Sequence, residues 1–284
     1  MRGRPRTLPD CARTLFIETA GGPLAALEAQ PAGSARASAV FVPGFSGSKE
    51  DFIPMLTAIA SAGYRVVCFD QRGQYESAGP NRADAYSTQV FARDLFEVIQ
   101  SVGGGRPVHL LGHSFGGLVA RRATIIAPSS VRSLVLLDSG PDGASLSYRY
   151  LLRPLTWVIR LGAPKFLAAL MTRALTNAGV PAERLPWLRH RLVKTNRANL
   201  VGICQAMAAE SDLVEGLAAT GVPVLVVCGE KDDAWPAKTQ ADMARRLGAP
   251  MVIIPEAGHT PNEDQPQATA AALLRFWRTV DDSH

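Results

Sequence analysis

Metal-binding patterns are missing from this chain of 284 residues. Its four cysteines, Cys11, Cys68, Cys204 and Cys228, stand singly, and none of the five histidines falls in an H-E-x-x-H spacing. No metal site is therefore expected, and no disulfide framework either. Phosphate and dinucleotide loops are also absent, since neither G-x-x-x-x-G-K-[ST] nor G-x-G-x-x-G occurs. No apolar run approaches the roughly 20 residues that cross a bilayer. Aromatic residues make up only 7%, and no nucleic-acid module accompanies the net charge of +5, so no nucleic-acid partner and no stable membrane insertion are expected.

The start, Met1-Arg2-Gly3-Arg4-Pro5-Arg6, is basic but runs into Thr7-Leu8-Pro9-Asp10 and not into an apolar core, so it does not read as a signal peptide. A cytoplasmic protein is expected. With 47% hydrophobic and 19% charged residues, the composition is that of a globular protein, long enough for one large core or a core with an insertion.

Short apolar runs alternate with helical patterns along most of the chain. Thr14–Thr19 and Leu24–Glu28 flank Gly21-Gly22 and read as a strand pair. Further strands are expected at Ala37–Val42, Arg65–Phe69, Val108–Leu111, Val131–Leu137, Val222–Cys228 and Met251–Ile254. Helices are expected over Asp51–Ala62, Ser87–Ser101, Ala237–Leu247 and Gln267–Val280, with Asp94 on the inward stripe of the second. Continuous apolar strands separated by helices predict an α/β protein, a mostly parallel sheet covered on both faces, with ligands gathering at the C-terminal strand ends.

Between 141 and 215 the alternation stops. Helix-like stretches at Tyr148–Leu161, Pro164–Thr176, Trp187–Thr195 and Leu200–Ala209 predict a helical cap (141–215) inserted into a core formed by 1–140 and 216–284. Over 141–210 it carries Arg149, Arg153, Arg160, Lys165, Arg173, Arg184, Arg189, Arg191, Lys194 and Arg197 against Asp142, Glu183 and Glu210. A solvated outer face and an attractor for anionic substrates or a membrane surface are both compatible with that excess.

Gly112-His113-Ser114-Phe115-Gly116 joins an expected strand to an expected helix and has the G-x-S-x-G form of a nucleophile elbow. By itself the segment leaves a phosphate-binding turn or an ordinary tight turn open. A serine nucleophile also needs a base, and the base needs a group to hold its tautomer. Two later strand ends offer them: Gly229-Glu230-Lys231-Asp232-Asp233 and Gly258-His259. The order Ser114, Asp232, His259 is the one that accompanies such an elbow, with Asp233 as the alternative acid. His113 and His109 are read as packing residues.

With Pro43-Gly44-Phe45, Asp70-Gln71-Arg72-Gly73, Gly112 to Gly117, Gly229 to Asp232 with Pro236, and Gly258-His259 with Glu263 and Pro266, the chain resembles an α/β-hydrolase fold protein with a helical cap over nearly its whole length. The resemblance implies Ser114 as nucleophile, His259 as general base and acid, Asp232 as the orienting carboxylate, and the backbone N–H groups of Phe45 and Phe115 as the oxyanion hole. No cofactor is implied. Asp70 and Arg72 are expected to brace the loops as an ion pair. Pro43 departs from the histidine usual before this glycine, and Tyr75 from a usual glycine, where it is read as space-filling. Trp157, Phe166, Met171, Met207 and Trp235 are candidates for an apolar pocket under the cap, or equally for its core. A carboxylic ester of a small or medium apolar acid is the expected small-molecule substrate. A lactone, a C–C bond, a thioester, perhydrolysis, or a receptor with residual hydrolysis are the alternatives on the same residues.

Overall fold

The computed structural model describes residues 7–143 and 182–283, together with 156, 157, 159, 169, 173, 176 and 180. Eight strands form one sheet: β1 (Ala12–Ile17), β2 (Leu24–Ala29), β3 (Ala37–Val42), β4 (Tyr64–Phe69), β5 (Val108–His113), β6 (Val131–Leu137), β7 (Val224–Gly229) and β8 (Met251–Ile254). Their spatial order is β1-β2-β4-β3-β5-β6-β7-β8. The pairs β1–β2 and β2–β4 are antiparallel and all others are parallel. This is the α/β architecture expected from the alternation of strand and helix patterns.

Side-chain alternation along the strands divides the core in two. Val40, Val42, Val67, Leu110, Leu134 and Val226 face one side, where α2 (Thr88–Gly103) and α3 (Phe115–Ile126) pack. Ala39, Phe41, Val66, Leu111, Val135 and Val227 face the other, against α1 (Ile53–Ser61) and a long C-terminal helix, Pro266–Asp281. Burial on both faces explains why the strands read as unbroken apolar runs. Helix α2 has defined ends: the Ser87 hydroxyl accepts from Val90 N–H at 3.3 Å, and Gly104 closes it at φ 55°.

Between β6 and β7 the described residues form α4 (Leu185–Lys194), α5 (Arg197–Ala209) and α6 (Val214–Ala218). The expected helix over Tyr148–Leu161 lies mostly outside the described residues, as does most of Pro164–Thr176. Two arginines of α3 hold the entrance and exit of this insertion. Arg121 donates to the Gly140 carbonyl at 3.2 Å and to that of Pro141, while Arg122 donates to Glu210 at 2.9 Å. After β7 come α7 (Ala237–Leu247), β8, the short α8 (Pro261–Asp264) and α9 (Pro266–Asp281).

Chain order places β3 and β5 side by side with β4 on the far flank of β3, so consecutive connections leave in opposite directions there. A crevice opens at such a point beyond the C-terminal strand ends. No helix among the described residues is long and apolar enough to cross a membrane.

Candidate active site

Ser114 stands one residue past β5 with φ 54° and ψ −122°, between the strand and the first residue of α3. A side chain in this conformation is strained, and the surrounding packing holds it there. The flanking glycines are required by contact distance. A Cβ on Gly112 would lie 2.4 Å from the Gly116 carbonyl oxygen, and one on Gly116 would lie 2.3 Å from that of Val42. The chain therefore folds back tightly enough to put the serine hydroxyl at the mouth of the crevice, over the N-terminus of α3.

The Ser114 Oγ is 3.0 Å from His259 Nε2, and His259 Nδ1 is 2.9 Å from Asp232 Oδ1. His259 follows β8 and Asp232 follows β7. Their loops are drawn together where Lys231 N–H donates to the Ala257 carbonyl at 2.8 Å. Gly229 permits this approach, since a Cβ there would meet the Gly258 carbonyl at 2.0 Å. The Asp232 side chain is fully buried, whereas the His259 ring is 27% exposed. Asp232 also accepts from Ala234 N–H at 2.9 Å and from Gln240 Nε2 at 2.8 Å. Burial pushes its carboxyl up, but the His259 imidazole, together with Asp138 and the Ala234 N–H, outweighs burial and holds it below the ordinary carboxylate range. Asp233 is exposed.

The loop after β3 runs against the serine, with the ideal Cβ position of Gly44 only 3.0 Å from Ser114 Cβ. Among the described residues, neither Phe45 N–H nor Phe115 N–H is engaged by a backbone or side-chain acceptor. Further along this loop, Lys49 is buried and donates from Nζ to Asp70 at 2.8 Å and to Glu76 at 2.7 Å, while its N–H reaches Asp70 Oδ1 at 2.8 Å. The Asp70–Arg72 pair expected from the sequence is thus replaced by two others. Asp70 turns inward to Lys49, and Arg72, beyond the turn, pairs with Asp94 on α2. The partners were separated too far along the chain to be matched without the fold.

Of the basic residues counted between 141 and 210, Arg149, Arg153, Arg160 and Lys165 lie outside the described residues, and the other six divide into two that pair with acids of the core and four that are exposed. Arg191 of α4 lies over the Trp187 ring at 4.8 Å and pairs with Asp51 in the segment after β3, while Arg184 pairs with Glu263 on α8 at 2.5 Å. Both pairs are largely buried. Arg173, Arg189, Lys194 and Arg197 are exposed. Tyr75, at φ 36°, packs edge-on against Trp187 and His190, so its ring fills space between the core and α4.

Of the pocket candidates, Trp235 is buried with its ring 5.9 Å from that of His259. Met207 is buried in the core cluster that includes Leu200, Ile203 and Phe115. Trp157 is exposed, and Phe166 and Met171 lie outside the described residues. His113, read as a packing residue, has a polar task as well: its Nε2 is 2.7 Å from the His259 carbonyl oxygen and donates to it. Burial drives its pKa down to about 4, so the ring is neutral. Neither this contact nor the Gln240 contact has a sequence signature, because both join residues of unremarkable type on separate elements.

Comparison with known proteins agrees with this fold. The chain matches the alpha/beta hydrolase family over residues 39–272. A 2-(acetamidomethylene)succinate hydrolase from Mesorhizobium japonicum is 26% identical, with 84% of this chain and 86% of that protein covered. Among solved structures, an esterase from Exiguobacterium antarcticum superimposes with a TM-score of 0.80 at 21% identity, covering 94% of this chain and 100% of the other. An enol-lactonase from Burkholderia xenovorans does so with a TM-score of 0.79 at 20% identity, covering 93% and 100%. The chain belongs to the alpha/beta hydrolase family of enzymes.

Proposed function

We propose that this protein is a serine hydrolase that cleaves carboxylic esters of small to medium, largely apolar acids through an acyl-enzyme. The observation that carries the reading is the continuous hydrogen-bonded line from Ser114 Oγ through His259 to Asp232, at 3.0 and 2.9 Å. His259 takes the hydroxyl proton as Ser114 attacks the carbonyl carbon. Asp232 holds the Nδ1–H tautomer and faces the imidazolium that forms. The N–H groups of Phe45 and Phe115 receive the oxyanion, each worth roughly 3 kcal/mol in the transition state. The imidazolium then returns its proton to the departing alcohol, and water repeats the sequence to free the acid and Ser114.

The core of residues 1–140 and 216–284 supplies these groups, and 141–215 forms a helical cap over them. The protein acts in the cytoplasm on a small molecule and needs no metal or organic cofactor for this chemistry. An uncharged acyl group is favoured because, among the described residues of the cap, Arg184 and Arg191 are already neutralised by Glu263 and Asp51. A second reading, hydrolysis of an anionic or cyclic acyl substrate, draws on the succinate-type substrate in the name of the Mesorhizobium relative and on the exposed cap cations.

Release of p-nitrophenol from acyl esters of increasing length tests the first reading. Sustained turnover with a chain-length optimum, lost in Ser114→Ala, is expected. A stoichiometric burst without a second cycle, or turnover that survives in Ser114→Ala, overturns it, and turnover confined to lactones or dicarboxylate substrates supports the second.

A further inference from the structure

Asp138 plays no part in the mechanism above, yet it is fully buried one residue beyond β6 and stands at φ 42°. A left-handed backbone at a residue with a side chain costs on the order of 1 kcal/mol, so the packing around this carboxyl maintains it against strain. Its Oδ1 accepts from Gly229 N–H at 2.8 Å and, at 3.5 Å, from Gln240 Nε2, while Oδ2 has no donor. One of its oxygens lies within 4.8 Å of a carboxylate oxygen of Asp232 and of the Cys228 sulfur. One also lies within 4.8 Å of ring nitrogens of His113 and His259. The same Gln240 amide that touches Asp138 donates to Asp232 at 2.8 Å, so it straddles both carboxyls.

Two carboxylates cannot both stay ionised at this separation in a buried pocket. Of the other titratable groups facing Asp138, none described is a cation apart from His259 during turnover: burial keeps His113 neutral, and burial pushes the Cys228 thiol up to about 12. The two acids differ in their donors. Asp232 receives His259, Gln240 and Ala234, whereas Asp138 receives one short bond. The single proton therefore resides on Asp138. Burial and the Asp232 charge raise its pKa to about 9.

We propose that Asp138 and Asp232 form a one-proton carboxyl pair in which Asp138 Oδ2–H donates to Asp232, aims that carboxylate at His259 Nδ1, and supplies the negative charge facing His259 when Asp232 is lost. This inference rests on the proposed triad. Through the catalytic cycle the pair keeps one proton and one negative charge, while the proton in flight moves only between Ser114, His259 and the substrate. Asp138 touches neither the serine nor the substrate position and is a positioning residue.

Infrared spectroscopy and a double-mutant comparison test it. At neutral pH the wild type is expected to show the C=O stretch of a protonated carboxyl, lost on titration through about pH 9 and missing from Asp138→Asn. Identical spectra of the two proteins, or no titrating band in the wild type, overturn the pair. Asparagine tolerates the left-handed backbone, and should that variant fail to fold, the wild-type titration decides alone. This readout requires no turnover, so it separates failure of the pair from failure of the hydrolase reading, which shows as a lack of Ser114-dependent activity. In the kinetic arm, kcat/KM of Asp232→Asn is expected to exceed that of Asp138→Asn/Asp232→Asn by about tenfold or more, as befits a carboxylate able to face the imidazolium. Equal values overturn the substitution of one acid for the other.

Discussion

The sheet carries a serine, a histidine and an aspartate in hydrogen-bonded contact at each of its ends, and the two sets differ in access and in backbone setting. At the C-terminal end are Ser114, His259 and Asp232. At the opposite end, roughly 17 Å away along β5 at about 3.3 Å per residue, His109 Nδ1 is 2.8 Å from Ser133 Oγ and its Nε2 is 3.2 Å from Asp281 Oδ1. The second set is sealed. The His109 ring is fully buried and stacks on Trp277 at 5.0 Å, and Asp281 also takes the Tyr64 hydroxyl at 2.7 Å and Arg132 at 2.6 Å. Ser133 lies inside β6, paired with His109 across the parallel ladder, where backbone N–H groups are consumed by the sheet. Ser114 lies beyond its strand, beside the N–H groups of Phe45 and Phe115, which have no acceptor among the described residues, and the His259 ring is 27% exposed. The same three residue types thus occur once inside the ladder and once at an accessible strand end, and only the second setting suits the proposed nucleophile.

The widest separation between the two sets is expected at the serines. Ser114→Ala should lower kcat/KM by about 10⁴-fold or more, with the fold intact by circular dichroism, while Ser133→Ala should keep turnover and lose roughly 1–3 kcal/mol of stability from the unsatisfied His109 nitrogen. Reversed effects in parallel assays would exchange the roles of the two ends. At the acids, Asp232→Asn should reduce kcat/KM by about 10²- to 10³-fold, short of the roughly 10⁴ seen where no second carboxyl stands by. Asp233→Asn should change it little, since Asp233 is exposed. If Asp233→Asn proved the more damaging, the orienting carboxylate would have to be reassigned.

Smaller effects concern the contact of α4 with the core and pH. Arg191→Ala leaves Asp51 without its cation in the segment after β3 and should cost about 3 kcal/mol in denaturant unfolding; an unchanged midpoint would mean that α4 does not brace that segment. His109 and His113 are both held near pKa 4 by burial, below the unfolded value of about 6.5. The unfolded chain therefore binds more protons between those values, so their contribution to stability is complete above about pH 6.5 and is lost as pH falls toward 4. His109→Gln should flatten the melting temperature profile over that interval. A profile identical to that of the wild type would show that His109 takes up no proton on unfolding there.

Strand and helix order, the elbow around Ser114, and the positions of Asp232 and His259 just past strand ends were legible because they are local. Continuous apolar runs, helical periodicity, glycine at close turns and residue order along one chain are all written in contiguous segments. The choice between Asp232 and Asp233 was open on residue type, and the structure buries the first against His259 while leaving the second exposed.

Pairings between distant segments were not legible. Asp70 beside Arg72 looked like a pair, yet strand direction at the end of β4 sends Asp70 to Lys49 and Arg72 to Asp94. Arg184 and Arg191 looked like members of a basic surface, and their burial against Glu263 and Asp51 depends on how α4 settles on the core. Asp138, Gln240 and the His113 contact carry no motif at all. By itself the sequence determined the layers of the fold and the residues offered at the strand ends, because hydrophobic period and turn chemistry act over a few residues. Only the tertiary structure decided which charges meet, since a partner is chosen by distance and burial after segments far apart in the chain have packed together.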